Sequence, residues 1–101
     1  MLMDIEVDEL KSKLDHQENF VLIDVREPYE HEEFNLGGRL IPLGELFTAP
    51  GEVSGDKNTE IVVYCRTGNR SGMAKQILQQ AGYTQVRNLT GGVAAWQEKG
   101  Y

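Results

Sequence analysis

Two kinds of apolar spacing alternate along the chain. Residues 20–23 (Phe-Val-Leu-Ile) and 61–64 (Ile-Val-Val-Tyr) are unbroken apolar runs, the mark of short strands covered on both faces. Residues 40–41 and 85–89 are further strand candidates, set between glycine-bearing turns. Helical spacing fills the intervals. Ile5, Val7, Leu10 and Leu14 predict a helix over about residues 7–14, with a short strand at 4–7 before it. Pro28 suits the first turn of an acidic helix over 29–34, since its missing N–H is not needed there. Tyr29 and Phe34 supply its packing residues, and its acidic face, with His31, reads as solvated. A helical turn or two is expected over 43–47. Met73, Ala74, Ile77, Leu78 and Ala81 share one face of a longer helix that stops at Gly82. A last helix over 93–99 ends at Gly100 and is packed down by Ala94, Ala95 and Trp96. Residues 48–59 carry Pro50, two glycines and several charges, and read as a flexible loop free to flank the end of the strand that follows.

Strands alternating with short helices predict one α/β domain over residues 1–101, with a mostly parallel central sheet and helices on both faces. A chain of 101 residues with 40% hydrophobic and 26% charged side chains holds one core but not two. The net charge of −6 argues against nucleic-acid binding, which needs clustered Lys and Arg. No apolar run reaches the ~20 residues of a bilayer span, and the acidic start MLMDIEVDEL is unlike a signal peptide. A single cysteine precludes an intrachain disulfide and points to the reducing cytoplasm. His16 and His31 lack metal-ligand spacing and there is no CxxC pair, so neither metal nor cofactor is expected.

The chemistry concentrates where residues 61–64 give way to Cys65-Arg66-Thr67-Gly68-Asn69-Arg70-Ser71. This is strand, tight loop, helix, with the sulfur at the strand's carboxyl end and the loop amides near a helix N-terminus. Such amides favour negative charge, and Arg66 and Arg70 add two cations. A thiol with a free pKa near ~8.5 falls well below that in such surroundings and becomes a nucleophilic thiolate. The loop outweighs the alternative of an inert buried cysteine. On an acidic body, the two arginines form a local positive site suited to a small anionic substrate or to a persulfide anion. Arg66 projects outward toward an anionic donor, whereas Arg70 either braces the loop or faces the site. Thr67 and Ser71 either donate hydroxyl hydrogen bonds or cap the turn and helix. Gly68 supplies a backbone angle that other residues resist. Asp24 and Arg26 follow the first buried strand, at the edge where parallel sheets gather ligands. They read as a structural brace, for example Arg26 with Glu30 or Glu27.

CRTGNRS resembles the active-site loop of the rhodanese family in its six-residue sulfurtransferase form. The loop is one residue shorter than in tyrosine-phosphatase-type cysteine loops, which disfavours phosphatase or arsenate reductase chemistry. DVREPYE (24–30) and GGVAAW (91–96) resemble the family's second-strand and C-terminal stretches, and the three occur in the family's order. The resemblance spans about residues 5–100. In GGRLIPL (37–43) the sequence departs from a GHIPGA-type stretch and lacks its histidine. That leaves one pocket wall different and brings the segment closer to rhodanese domains that work with ubiquitin-like sulfur carriers.

The resemblance implies a thiosulfate sulfurtransferase. It would move sulfane sulfur to a thiol or cyanide acceptor through a Cys65 persulfide, with residues 66–71 binding substrate and the amides of 66–70 around the sulfur. The expected state is a monomer. Two rivals stand beside it: a protein-to-protein relay fed by a cysteine desulfurase and serving a sulfur-carrier protein, and a non-enzymatic interaction module on the same fold.

Overall fold

In a computed structural model, residues 3–101 are described. Four strands, β1 (Val21–Asp24), β2 (Arg39–Leu40), β3 (Ile61–Tyr64) and β4 (Val86–Asn88), form one sheet in the order β2-β1-β3-β4. All three pairings are parallel. Ile23 pairs with Val63 and Val63 with Asn88, so the carboxyl ends of β1, β3 and β4 lie along one edge. The helices are α1 (Val7–Asp15), α2 (Pro28–Glu33), α3 (Leu43–Thr48), α4 (Asn69–Gln80) and α5 (Gly92–Glu98), with a 3-10 turn at Pro50–Glu52.

Strand alternation sends successive side chains to opposite faces. Ile61, Val63 and Cys65 join Ile23, Val25, Leu46, Ala74 and Leu78 in one core layer. Val62 and Tyr64 join Leu10, Leu22, Leu89, Val93 and Trp96 in the other. The sheet is thus covered by α3 and α4 on one side and by α1 and α5 on the other, as the unbroken apolar run of β3 requires.

Several local expectations change. The strand at 4–7 reduces to a single parallel bridge between Ile5 and Leu89. Tyr29, Met73 and Ala94 face solvent instead of the core; Phe34 packs against the second core layer. On α4 the expected face holds: Ala74 and Leu78 are buried and Ile77 and Ala81 pack against the same core, while Met73 alone lies off it. Ser71, which the apolar pattern does not include, is buried on that face for a reason that lies in the site.

The loop before β3 is tied down and does not flank the cysteine. The Tyr83 hydroxyl accepts from Ser54 N (3.1 Å) and lies within donating reach of the carbonyls of Ser54 (2.9 Å) and Gly51 (3.2 Å). Val53 is buried. Thr84 N donates to Lys57 O, which anchors this segment at the amino edge of the sheet, opposite Cys65.

Candidate active site

The chain leaves β1 toward β2 on one side and returns through β3 on the other side of β1. In parallel sheets a crevice opens where successive connections diverge in this way, beyond the strands' carboxyl ends. Cys65 sits there, directly after β3. Its residue is almost fully buried, and Sγ looks into the first turn of α4. Gly68 N donates to Sγ at 3.1 Å, Ser71 N lies at 3.4 Å and Ser71 Oγ at 3.3 Å. Gly68 reaches this position with φ +108°, a left-handed angle that suits glycine. Burial pushes the Cys65 thiol up, but the Ser71 hydroxyl and the amides of Ser71, Gly68 and Thr67 outweigh it, so the thiol lies below its ordinary value. Donors aimed at one atom from a helix N-terminus stabilise charge on that atom.

The donor set differs in part from the one the spacing suggests. Amides of Thr67 and Gly68 take part as expected, and the third is that of Ser71, one position beyond the predicted 66–70. The Ser71 hydroxyl does not cap the helix: it is buried and lies between the sulfur and Asn88 Oδ1. Thr67 and Asn69 expose their side chains.

Arg70 is a brace. Its guanidinium makes a paired contact with the Glu30 carboxylate, at 2.7 and 3.0 Å, the planar fork geometry that arginine favours. This overturns the solvated reading of α2's acidic face at Glu30. With Arg70 beside it, the Glu30 carboxyl is pulled down to about 2. His31 is likewise engaged, its Nδ1 lying 2.9 Å from Asp24 Oδ2.

Asp24 and Arg26 do form a structural ion pair, but with each other and not with Glu30 or Glu27. Arg26 Nε and Nη2 donate to the two Asp24 oxygens at 2.9 and 2.8 Å, and Nη2 also donates to Phe34 O at 2.6 Å. The residues are two apart because Asp24 ends β1 and the chain turns at once, which the sequence spacing alone does not reveal. Burial pushes the Asp24 carboxyl up; Arg26 and His31 bring it below its usual range.

The outer wall of the loop comes from the C-terminal stretch. The first turn of α5 offers its free amides to the loop's carbonyls: Val93 N to Cys65 O and Ala94 N to Arg66 O, both at 2.9 Å. These bonds turn the carbonyls outward and leave the amides facing the sulfur. The approach is so close that a Cβ at Gly92 would overlap Cys65 O and come within 2.6 Å of Arg66 C and O. The motif GGVAAW therefore acts on the cysteine loop directly, which its reading as a packed helix misses. Beside it a cleft of about 320 Å³ opens between α2 and α5, lined among others by Arg66, Tyr29, Glu33 and Gln97. Arg66 is exposed there and makes no ion pair among the described residues. No group of three or more His, Cys, Asp or Glu among the described residues could hold a metal ion, and no described helix is long and apolar enough to cross a membrane.

This geometry agrees with comparisons to known proteins. The family model of the rhodanese-like domain matches residues 6–99. The thiosulfate sulfurtransferase PspE of Escherichia coli is 41% identical over 70 residues, covering 68% of this chain and 67% of its own. A Bacillus subtilis protein named as a candidate sulfur carrier, YrkF, is 34% identical over 97 residues. That match covers 95% of this chain and 51% of YrkF, so the chain spans about half the length of that relative. The structure of the human single-domain sulfurtransferase TSTD1 superposes with a TM-score of 0.83 at 29% identity, covering 95% of this chain and 96% of its own. With the family model over nearly its whole length and the cysteine loop at the expected edge of the sheet, this chain belongs to the rhodanese-like family.

Proposed function

We propose that this chain is a sulfurtransferase that carries sulfane sulfur as a persulfide on Cys65, loaded from a small anionic donor such as thiosulfate. The observation that carries the reading is the convergence of amide and hydroxyl donors on one buried sulfur. In the first half-reaction the Cys65 thiolate attacks the outer sulfur of thiosulfate. The new S–S bond forms as the old one breaks, and sulfite leaves with the electron pair. The charge then resides on the outer sulfur of the persulfide, above the same loop. In the second half-reaction a thiol acceptor, or cyanide in the assay, attacks that outer sulfur and the Cys65 thiolate departs.

Roles for the surrounding residues follow from their contacts. The amides of Thr67, Gly68 and Ser71 stabilise the thiolate. Arg66, exposed and unpaired, attracts the dianionic donor, and Arg70, held by Glu30, fixes the start of α4 while leaving its positive field on the sulfur. Asn69, exposed between them, belongs to the face of the loop that meets the substrate. Asp24 and Arg26 hold the adjoining β1 loop. A lone thiol suits a reducing compartment such as the cytoplasm, and this reading takes the domain as a monomer.

A second reading has support of its own. The cleft beside Arg66 opens toward solvent between α2 and α5, and one relative is named for sulfur carriage. A cysteine desulfurase as donor and a sulfur-carrier protein as acceptor would make this a relay, with thiosulfate a surrogate. The complete donor set around Cys65 argues against a non-enzymatic module.

The deciding assay is sulfur transfer from thiosulfate to cyanide, read as thiocyanate. Cys65→Ser should abolish turnover with an unchanged far-UV spectrum and melting temperature. Undiminished turnover in that variant would overturn the mechanism. Wild type inactive with thiosulfate but active with a persulfidated protein donor would favour the relay.

A further inference from the structure

Asn88 lies outside the cysteine loop, at the end of β4, and none of the roles above uses it. Its side chain bridges the turn at Gly68 and the first turn of α4. Nδ2 donates to Gly68 O at 3.1 Å, and Oδ1 accepts from Ser71 Oγ at 2.6 Å. Its backbone is fixed independently, with N donating to Asp4 Oδ1 and O accepting from Ile5 N. The strand therefore presents the amide at a set height. Gly72 faces it across α4, where a Cβ would stand 3.5 Å from Nδ2.

The Ser71 hydroxyl has one proton and two acceptors in reach, Asn88 Oδ1 at 2.6 Å and Cys65 Sγ at 3.3 Å. Ser71 is buried with no exposed surface, so water does not take over either bond. With the O–H on the thiolate, it stabilises the nucleophile. With the O–H on Asn88, the sulfur loses that donor, a smaller loss for a neutral sulfur than for a thiolate, because hydrogen bonds to an ionised acceptor are the stronger ones. In the reaction proposed above, Sγ is an anion before donor attack and neutral once the persulfide carries its charge on the outer atom.

We propose that Asn88 is a positioning residue for sulfur transfer: its side-chain amide anchors Gly68 and takes the Ser71 hydroxyl whenever Cys65 Sγ is not the anion. The inference rests on the persulfide reading for its place in the cycle, but its geometric core concerns the reduced protein alone. The charged groups near this assembly are Arg66 in the loop, Arg70 with Glu30 of α2, and Asp4 with Lys75 below Asn88. Ser71 Oγ contacts none of them.

The test is an ultraviolet titration of the Cys65 thiolate in the reduced protein, which needs no sulfur donor. It is run on wild type, Asn88→Asp, Ser71→Ala and the double variant. Asn88→Asp keeps the shape, removes the donor to Gly68 and makes the competing acceptor an anion that holds the Ser71 proton firmly. Its Cys65 titration should move upward by about one unit, a tenfold change in the equilibrium constant. In the Ser71→Ala background the same substitution should give less than half that shift. Equal shifts in both backgrounds would mean bare charge repulsion and would overturn the role of the hydroxyl. A lowered melting temperature with an unmoved titration would make Asn88 merely structural and would also overturn it. If Asn88→Asp does not fold, Asn88→Ala takes its place under the same criterion: a change in titration that depends on Ser71. Failure of wild type to take up sulfur from any donor would instead refute the persulfide reading and leave this titration result standing.

Discussion

Gly92 is the position where the smallest side-chain addition should do the most damage. It begins α5 with φ +57°, and its Cα lies against the peptide joining Cys65 to Arg66. Alanine there faces two separate penalties. The left-handed backbone is about 1–2 kcal/mol unfavourable for a residue with a Cβ. The added carbon also overlaps the carbonyls of Cys65 and Arg66, and backbone cannot swing aside as a flexible side chain can. Relief requires α5 to withdraw, which stretches the bonds from Val93 N and Ala94 N. Each is worth about 0.5–1.5 kcal/mol net. The total is about 2–5 kcal/mol, a large share of the ~5–15 kcal/mol that holds a typical domain. For a domain of this size each kcal/mol moves the midpoint by about 4–8 °C, so Gly92→Ala should melt on the order of 20 °C below wild type. Gly37→Ala is the control, since its φ is +86° but nothing lies within 4 Å of its added Cβ. It should lose only the backbone part, about 1–2 kcal/mol. Calorimetry or urea unfolding of the two variants measures the difference. Losses equal within ~0.5 kcal/mol would refute the claim that close packing of α5 on the cysteine loop sets the requirement for glycine.

Other perturbations separate the remaining parts of the site. Glu30→Gln should cost about 1 kcal/mol near neutrality, because the Arg70 side chain is partly exposed and the pair is screened. Glu30 in the fold titrates near about 2, against ~4.3 unfolded. Its contribution is therefore complete above the unfolded value and lost as pH falls toward the folded one. The deficit of Glu30→Gln, followed by urea unfolding at several pH values, should shrink across that window, and a constant deficit would contradict the assignment. Arg66→Ala should lower kcat/KM for thiosulfate about three- to fivefold at low salt, chiefly through KM, with a smaller effect as salt is added. Tyr64→Phe should destabilise by about 1–3 kcal/mol, since the buried Tyr64 hydroxyl accepts from Leu36 N at 3.1 Å and phenylalanine leaves that donor unpaired. Urea unfolding would show it.

Much of this was readable from spacing. The unbroken apolar run at 61–64 requires cover on both faces, and it occupies the sheet interior between β1 and β4. Cys65, Gly68 and the start of α4 lie where strand, turn and helix signals place them. What escaped depends on pairs far apart in sequence. Glu30 and Arg70 are 40 positions apart, and on a short acidic helix one carboxylate looks like its neighbours. Asn88 offered one faint signal, a neutral polar residue at the carboxyl end of a strand candidate, on the edge where parallel sheets build sites. Gly91-Gly92 read as a turn because no periodicity reports that a helix start will press against another segment's backbone. Ser71 sat on the apolar face of α4 and broke its pattern. Such a buried polar residue next to a candidate nucleophile is where local rules yield to the site.

The central claim is that Cys65 holds transferable sulfur. Intact mass spectrometry after incubation with excess thiosulfate and removal of small molecules tests it directly, with Cys65→Ser alongside. The account predicts one added sulfur atom on the wild type, none on the variant, and its complete removal by cyanide. A wild type that gains no sulfur from thiosulfate or from a persulfidated protein donor, or a variant that gains as much as wild type, would contradict it.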